Sequence, residues 1–103
     1  MGRAVVAVSI TPVGTGAPSV SRFVAAALRV LAEAPDVRYE VGPMFTTVEG
    51  DLRRILDLVL AMQEAVFAEG AQRVSTVLKV DERRDRENTM EHKVAAVRGA
   101  ERP

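Results

Sequence analysis

The residues best suited to chemistry lie on a strand that follows a tight turn. Gly42 and Pro43 interrupt a β-branched stretch, because glycine adopts unusual backbone angles and proline fixes φ, and an alternating segment follows them. Alternate side chains of a strand share a face, so Phe45, Thr47 and Glu49 are predicted to project together. An aromatic ring, a hydroxyl and a carboxylate on one sheet surface suit the binding of a small molecule.

A second candidate site is the loop before the first predicted helix. Gly14-Thr15-Gly16 lacks the Lys-Ser/Thr ending and the third glycine of the nucleotide-binding motifs, so a flexible strand-to-helix turn is the simpler interpretation. Ser19 and Ser21 stand at the expected helix start, where either could cap the helix. Free N–H groups and the helix dipole favour negative charge there, so these two serines are the candidate anion-binding residues.

The composition excludes several other kinds of site. The chain has no cysteine and one histidine, His92, so neither a disulfide nor a metal site is expected. Acyl phosphate hydrolysis on a small α+β fold needs an asparagine near a phosphate loop, and the sole asparagine, Asn88, lies at the far end of the chain. We predict no catalytic residue and no enzymatic activity.

The charge balance and the hydropathy of the chain limit the kinds of partner that we expect it to bind. Fourteen basic residues balance fourteen acidic ones, whereas a basic excess is typical of proteins that bind nucleic acid. No apolar run approaches the roughly 18 residues that a membrane span requires. The N-terminal apolar run continues to Pro12 and Gly14 without a small-x-small cleavage pattern, which favours a strand over a signal peptide. A cytoplasmic protein with no nucleic-acid or membrane partner is expected.

Hydrophobic periodicity predicts the order strand, helix, strand, strand, helix, strand, followed by a terminal helix. The segments are a strand over 4–11, a helix from 22 to about 34, hairpin strands over 37–41 and 45–49, a helix capped by Asp51 that ends before Gly70, a strand over 73–81, a helix over about 88–98, and a frayed tail over 99–103. This order predicts one α+β domain over 1–103 with a ferredoxin-like βαββαβ fold, in which two helices cover one face of a four-stranded antiparallel sheet.

The second face of such a sheet is bare in a single chain. The side chains predicted to lie on it are Val5, Ala7, Ser9, Thr11, Tyr39, Phe45, Thr47, Glu49, Ser75, Val77, Lys79 and Asp81. This set is too apolar for an exposed surface and too polar for an ordinary core, and apolar patches of that size usually mark an interface. We therefore expect two copies to pack sheet against sheet in a homo-oligomer.

Glu49 and Asp81 would need partners in such an interface, because an unpaired carboxylate in an apolar interior is costly. Lys79, or an arginine from another chain, could form an ion pair with them. A bound cation or amine could take the same place. The pattern alone favours the ion pair.

Taken together, these segments resemble the small thiamine-binding protein family. The residues that carry the resemblance are Ser9-Ile10-Thr11-Pro12-Val13-Gly14-Thr15, Pro18-Ser19-Val20-Ser21, Tyr39-Glu40-Val41-Gly42-Pro43-Met44, Thr46, Glu49-Gly50, Arg73-Val74, Lys79-Val80-Asp81, Arg83-Arg84-Asp85, Thr89-Met90-Glu91 and Lys93-Val94. They occur in the right order over nearly the whole chain. The resemblance implies a ferredoxin-like fold, sheets paired into dimers, commonly a tetramer, and binding of thiamine or its hydroxymethylpyrimidine part without known catalysis.

Thiamine has a cationic thiazolium ring and an aminopyrimidine, so its site needs apolar or aromatic walls, a carboxylate and hydroxyls. The candidate ligand-binding residues are Tyr39 and Phe45 as walls, Glu49 and Asp81 as acceptors, and Ser9, Thr11 and Thr47 as hydrogen-bonding groups. Thiamine or a pyrimidine precursor is the expected ligand, and no other cofactor is expected.

One residue departs from the family pattern. Phe45 stands where a small residue, often glycine, follows the Gly-Pro-Met turn. Its ring could stack on a ligand ring or fill the space that a ligand would use. The alternative to ligand binding is a structural or regulatory oligomerisation module whose paired sheets enclose nothing.

Overall fold

Residues 3–101 form a four-stranded antiparallel sheet and three helices in a computed structural model. The elements are β1 (Arg3–Pro12), α1 (Ser21–Ala32), β2 (Arg38–Val41), β3 (Thr46–Asp51), α2 (Leu52–Ala68), β4 (Val74–Glu82) and α3 (Met90–Ala100). The strand order is β2-β3-β1-β4. This α+β architecture confirms the predicted ferredoxin-like fold. None of the helices within residues 3–101 combines the length and the apolar character needed to cross a bilayer.

The core lies between α1, α2 and the even-numbered positions of β1. Ala4, Val6, Val8 and Ile10 are buried there, and Leu31 of α1 and Ile55 of α2 are almost fully enclosed in the same cluster. Burying one large aliphatic side chain contributes about 1.5–3 kcal/mol. β1 is an inner strand, paired with β3 on one side and β4 on the other.

The N-termini of α1 and α2 are capped in different ways. Asp51 caps α2 as predicted, because its carboxylate accepts a hydrogen bond of 3.0 Å from the Arg54 backbone N–H. The predicted serine cap of α1 is wrong, since the N-cap is Val20 and it makes no side-chain bond. The hydroxyls of Ser19 and Ser21 instead bond each other at 3.0 Å in the exposed loop before α1.

The C-terminal helix, α3, is the least buried of the three helices in residues 3–101. Thr89 caps it by accepting a 3.0 Å bond from the His92 N–H, and Met90 is its only buried residue. The helix continues to Ala100, so the predicted frayed tail is wrong at residues 99 and 100. Arg102 and Pro103 lie outside the described residues.

Candidate functional site

The sheet surface opposite α1 and α2, here called the open face, is arranged in cross-strand rows. Its rows are Arg38–Glu49–Val5–Asp81 and Glu40–Thr47–Ala7–Lys79, which cross all four strands, then Ser9–Val77 and Thr11–Ser75 on β1 and β4. The predicted face is therefore confirmed for every strand residue of β1, β3 and β4. Side chains that are directly opposite in a sheet lie close enough to share a ligand or an ion pair.

The first turn of α3 covers the first row. Glu49 has only 1% of its surface exposed, and its Oε1 accepts hydrogen bonds from Arg38 Nη1 at 3.1 Å and from the Met90 backbone N–H at 3.5 Å. Arg38 also donates two bonds, of 2.6 and 3.0 Å, to the Glu91 carboxylate. One guanidinium thus connects β2, β3 and α3, and it satisfies a carboxylate that would otherwise be buried without a partner.

Asp81, at the other side of the same row, is also bound to α3. Lys93 Nζ lies 2.5 Å from Asp81 Oδ2, and the Asn88 amide donates to the Asp81 backbone carbonyl at 2.9 Å. The Lys93 hydrogen bond and charge hold the pKa of Asp81 below its ordinary value, and Arg38 does the same for the pKa of Glu91. Ion pairs within one chain therefore hold both carboxylates, with Arg38 and Lys93 in the role predicted for Lys79.

Beyond the first turn of α3, the open face carries hydroxyls and apolar groups, with the exposed charges of Glu40 and Lys79 on its two edge strands. Ser9 and Thr47 are half-buried, Thr11 is exposed, and Val77 has 52% of its surface exposed. These hydroxyls can donate and accept hydrogen bonds. The surface can therefore hold a planar polar molecule against an apolar floor.

A cleft of about 560 Å³ joins this surface to α3. It is lined by Arg38, Glu40, Met90, Glu91, Val94 and Ala95. Its volume lies in the usual range for small-molecule sites. The cleft brings carboxylates to the edge of the open face beside exposed apolar side chains of α3.

The predicted position of Tyr39 on the open face is wrong. Val41 lies opposite Thr46 across a four-residue turn, so odd positions of β2 share a face with even positions of β3. Tyr39 consequently pairs with Val48 and packs, half-buried, against the core under the helices. It cannot form a wall of a site on the other face.

Two β2 residues that the sequence analysis did not predict lie on the open face in place of Tyr39. Arg38 and Glu40 alternate with Tyr39 along β2 and therefore belong to the open face. The length of the turn could have indicated this arrangement. A turn with an even number of residues places odd-numbered positions of one strand opposite even-numbered positions of the next. The exposed Glu40 adds a carboxylate beside Thr47.

Phe45 lies in the turn and not within β3, where the alternation had placed it. Its carbonyl accepts a 2.9 Å bond from the Gly42 N–H, and the residue is 38% exposed. A Cβ on Gly42 would stand 2.6 Å from that carbonyl oxygen, so this turn requires glycine. Phe45 is therefore a partly exposed residue of the turn between β2 and β3.

The candidate anion-binding serines are not part of this surface. Ser19 and Ser21 belong to the exposed loop before α1. Among the described residues, no group of three or more His, Cys, Asp or Glu side chains could hold a metal ion.

The family model described as thiamine-binding protein matches residues 6–98. The chain belongs to this family. It is 39% identical over 98 residues to the UPF0045 protein YqgV of Bacillus subtilis, a match that covers 91% of this chain and 93% of that protein. The resemblance seen in the sequence is therefore confirmed.

Two solved structures share the fold. A hypothetical protein from Methanocaldococcus jannaschii superposes with a TM-score of 0.86 at 39% identity, covering 94% of this chain and 97% of that one. A putative thiamine biosynthesis/salvage protein from Thermotoga maritima superposes with a TM-score of 0.74 at 26% identity, covering 92% and 98%. The architecture of this chain is thus shared by proteins that are 26% and 39% identical to it.

Proposed function

We propose that the protein binds thiamine or a related hydroxymethylpyrimidine, without catalysing a reaction, in a pocket that two copies form between their open faces. The family description supports a thiamine-related role, and the Thermotoga neighbour is described as a putative thiamine biosynthesis/salvage protein. The observation that carries the proposal is the open face itself, where hydroxyls surround an uncovered apolar surface.

The hydrogen-bonding groups fit the aminopyrimidine. Thr47 and Ser9 lie on neighbouring strands, and Thr11 follows Ser9 on the same face of β1. Their hydroxyls can accept from the exocyclic amine and donate to the ring nitrogens of the pyrimidine. Val77 next to Ser9 supplies apolar surface for the flat ring, and the exposed Phe45 is available to stack on it.

The cationic thiazolium needs negative charge. Glu40 is exposed on the open face and lines the cleft beside α3, and the Asp81 side chain is 45% exposed. Glu49 is enclosed and bonded to Arg38, so we assign it a structural role in holding α3. Glu40 is the carboxylate best placed to face the ligand.

A second copy completes the pocket. Val77 on the sheet and Val94 and Val97 on α3 are 52%, 55% and 64% exposed. Burying such side chains against a symmetric partner is favourable by roughly 25 cal/mol per Å² of apolar surface. The flat ligand would then lie between two sheets instead of in open water.

Isothermal titration calorimetry with thiamine and with free hydroxymethylpyrimidine tests the proposal. Saturable binding is expected for the wild type, and Thr47→Val should weaken it about tenfold because a hydrogen-bonding hydroxyl is lost. Ser21→Ala, which changes a hydroxyl outside the open face, is the matched control and should bind like the wild type. Absence of saturable binding to either compound would contradict the proposal.

One observation favours the alternative, an oligomerisation module without a ligand. Glu49 and Asp81 are already ion-paired within the chain, so paired sheets would need no cation to neutralise them. That module predicts an oligomer whose melting temperature does not change with thiamine, whereas binding raises it by mass action.

A further inference from the structure

We propose that a cleft beside the start of α2 binds an anion of the phosphate-ester or diphosphate class. Five arginines, Arg3, Arg53, Arg83, Arg84 and Arg86, line this cleft of about 1010 Å³, which we call the arginine cleft. They come from the start of β1, the first turn of α2 and the connector between β4 and α3. The fold therefore gathers positive charge from three separate parts of a chain whose net charge is zero.

Two of the five arginines are engaged with acidic neighbours. Arg83 donates two hydrogen bonds to Asp85, and Arg84 contacts Glu82 at 3.4 Å. These pairs lie at the surface, where ion pairs are weak, so an incoming anion can compete for the guanidinium groups.

The other three arginines make no ion pair among residues 3–101. The cleft is also lined by Arg3, Arg53 and Arg86. Of its four acidic residues, two are in the ion pairs described above and a third is the N-cap of α2, which leaves Glu87. That cap, Asp51, is occupied by the Arg54 N–H. Arg86 Nη2 also lies 3.4 Å from His92 Nδ1, a neutral partner that leaves its charge in place. The charge in the cleft that is not ion-paired is therefore mainly positive.

The start of α2 carries an unusual charge pattern. Its first turn contains no acidic residue and includes Arg53 and Arg54, although the positive end of the helix dipole disfavours cations there. Arg54 is paired with Asp36 at 2.8 Å, but Arg53 lines the cleft. A bound anion would offset the repulsion between Arg53 and the helix end.

The volume and the lining of the cleft indicate which class of ligand it would bind. A planar guanidinium binds two oxygens of one phosphate or carboxylate group at once, so several guanidiniums in one cleft favour an anion with more oxygens than a single carboxylate. The volume exceeds what inorganic phosphate fills, and Leu52 and Leu56 supply apolar wall beside the arginines. A diphosphate, or a phosphate ester with an organic part against the leucines, matches these features.

This site is independent of the proposed thiamine pocket. The cleft shares no residue with the four rows of the open face. Unphosphorylated thiamine offers the arginines no anion. The two proposals can therefore fail separately.

Titration calorimetry with inorganic diphosphate, at low and at physiological salt, tests the arginine cleft. The wild type should bind saturably, and more weakly at higher salt because ions screen the charges. Arg53→Gln and Arg86→Gln should each weaken binding about tenfold, the effect of losing a charge-assisted hydrogen bond. Arg29→Gln, an exposed arginine on α1 outside the cleft, is the matched control and should leave binding unchanged.

The proposal would be overturned by no saturable binding by the wild type, by unchanged binding by the Arg53→Gln/Arg86→Gln double variant, or by equal weakening by Arg29→Gln. Circular dichroism melting of each variant checks that the fold is kept. Inorganic phosphate, tested in parallel, should bind more weakly than diphosphate, and the reverse order would also contradict the assignment.

Discussion

Glu49 shows how one enclosed carboxylate can anchor the first turn of a helix that is otherwise little buried. Its oxygen accepts from a β2 side chain and from the first backbone N–H of α3. A charge removed from water is strongly destabilising when its partner is lost. The pairing of Arg38 with both Glu49 and Glu91 is therefore one of the two ion-pair contacts that tie α3 to the sheet, beside Lys93–Asp81.

Arg38→Gln should lower the free energy of unfolding by about 2 kcal/mol, because Glu49 would keep only its bond to the Met90 N–H. Adding Glu49→Gln should recover part of that loss by removing the buried charge. Arg54→Gln breaks the exposed pair with Asp36 and serves as the control, with a cost below about 1 kcal/mol. Urea denaturation measures all three, and equal costs for Arg38→Gln and Arg54→Gln would contradict this role of Glu49.

The ion pairs between α3 and the sheet also predict that the stability of the fold depends on pH. Lys93 lowers the pKa of Asp81 and Arg38 lowers the pKa of Glu91 in the folded protein. Groups with lowered pKa values stabilise the fold above their unfolded pKa, near 4, and this contribution is lost as the pH falls through the folded value. Stability should therefore decrease as the pH falls below about 4.

Lys93→Met tests the part due to Asp81. The variant should show a smaller difference in unfolding free energy between neutral and acidic pH than the wild type, measured by denaturant titration at each pH. An unchanged difference would show that the Asp81–Lys93 pair does not contribute.

At the scale of elements, sequence periodicity identified every strand and helix and the correct face of β1, β3 and β4. It failed for β2, since the face of Tyr39 depends on the number of residues in the turn as well as on alternation. The need of Glu49 for a partner was predictable, but its identity was not. Arg38 lies opposite Glu49 only in the register that the four-residue turn sets, and the second donor, the Met90 N–H, comes from 41 residues further along the chain.

The helix caps give a contrast between a docked and a loosely held helix. Asp51→Ala should cost about 1 kcal/mol in global stability, because α2 packs along the core. Thr89→Ala removes a similar bond from α3, of which only Met90 is buried. Its main effect should be faster amide hydrogen exchange in the first turn of α3, with little change in global unfolding. Equal global costs for the two variants would contradict a loosely held α3.

The whole molecule has an extended shape for its size. Its radius of gyration is 15.1 Å, against about 13 Å for a compact domain of 100 residues. Exposed valines on both the open face and α3 accompany this shape. Both features are expected of a subunit that completes its packing against another copy.

Val77→Glu should shift the protein from an oligomer toward the 11.1 kDa monomer in sedimentation velocity, because it places a charge in the proposed interface. Val24→Glu, on the exposed surface of α1, is the matched control and should sediment like the wild type. A monomeric wild type at micromolar concentration, or an oligomer that tolerates Val77→Glu, would contradict sheet-to-sheet pairing.

The most direct measurement is a crystal structure of the protein grown with thiamine. The expected result is a thiamine molecule between the open faces of two copies, with its pyrimidine within hydrogen-bond distance of Ser9, Thr11 or Thr47. Thiamine bound only elsewhere on the molecule, or paired open faces with no ligand between them at saturating thiamine, would contradict the central claim.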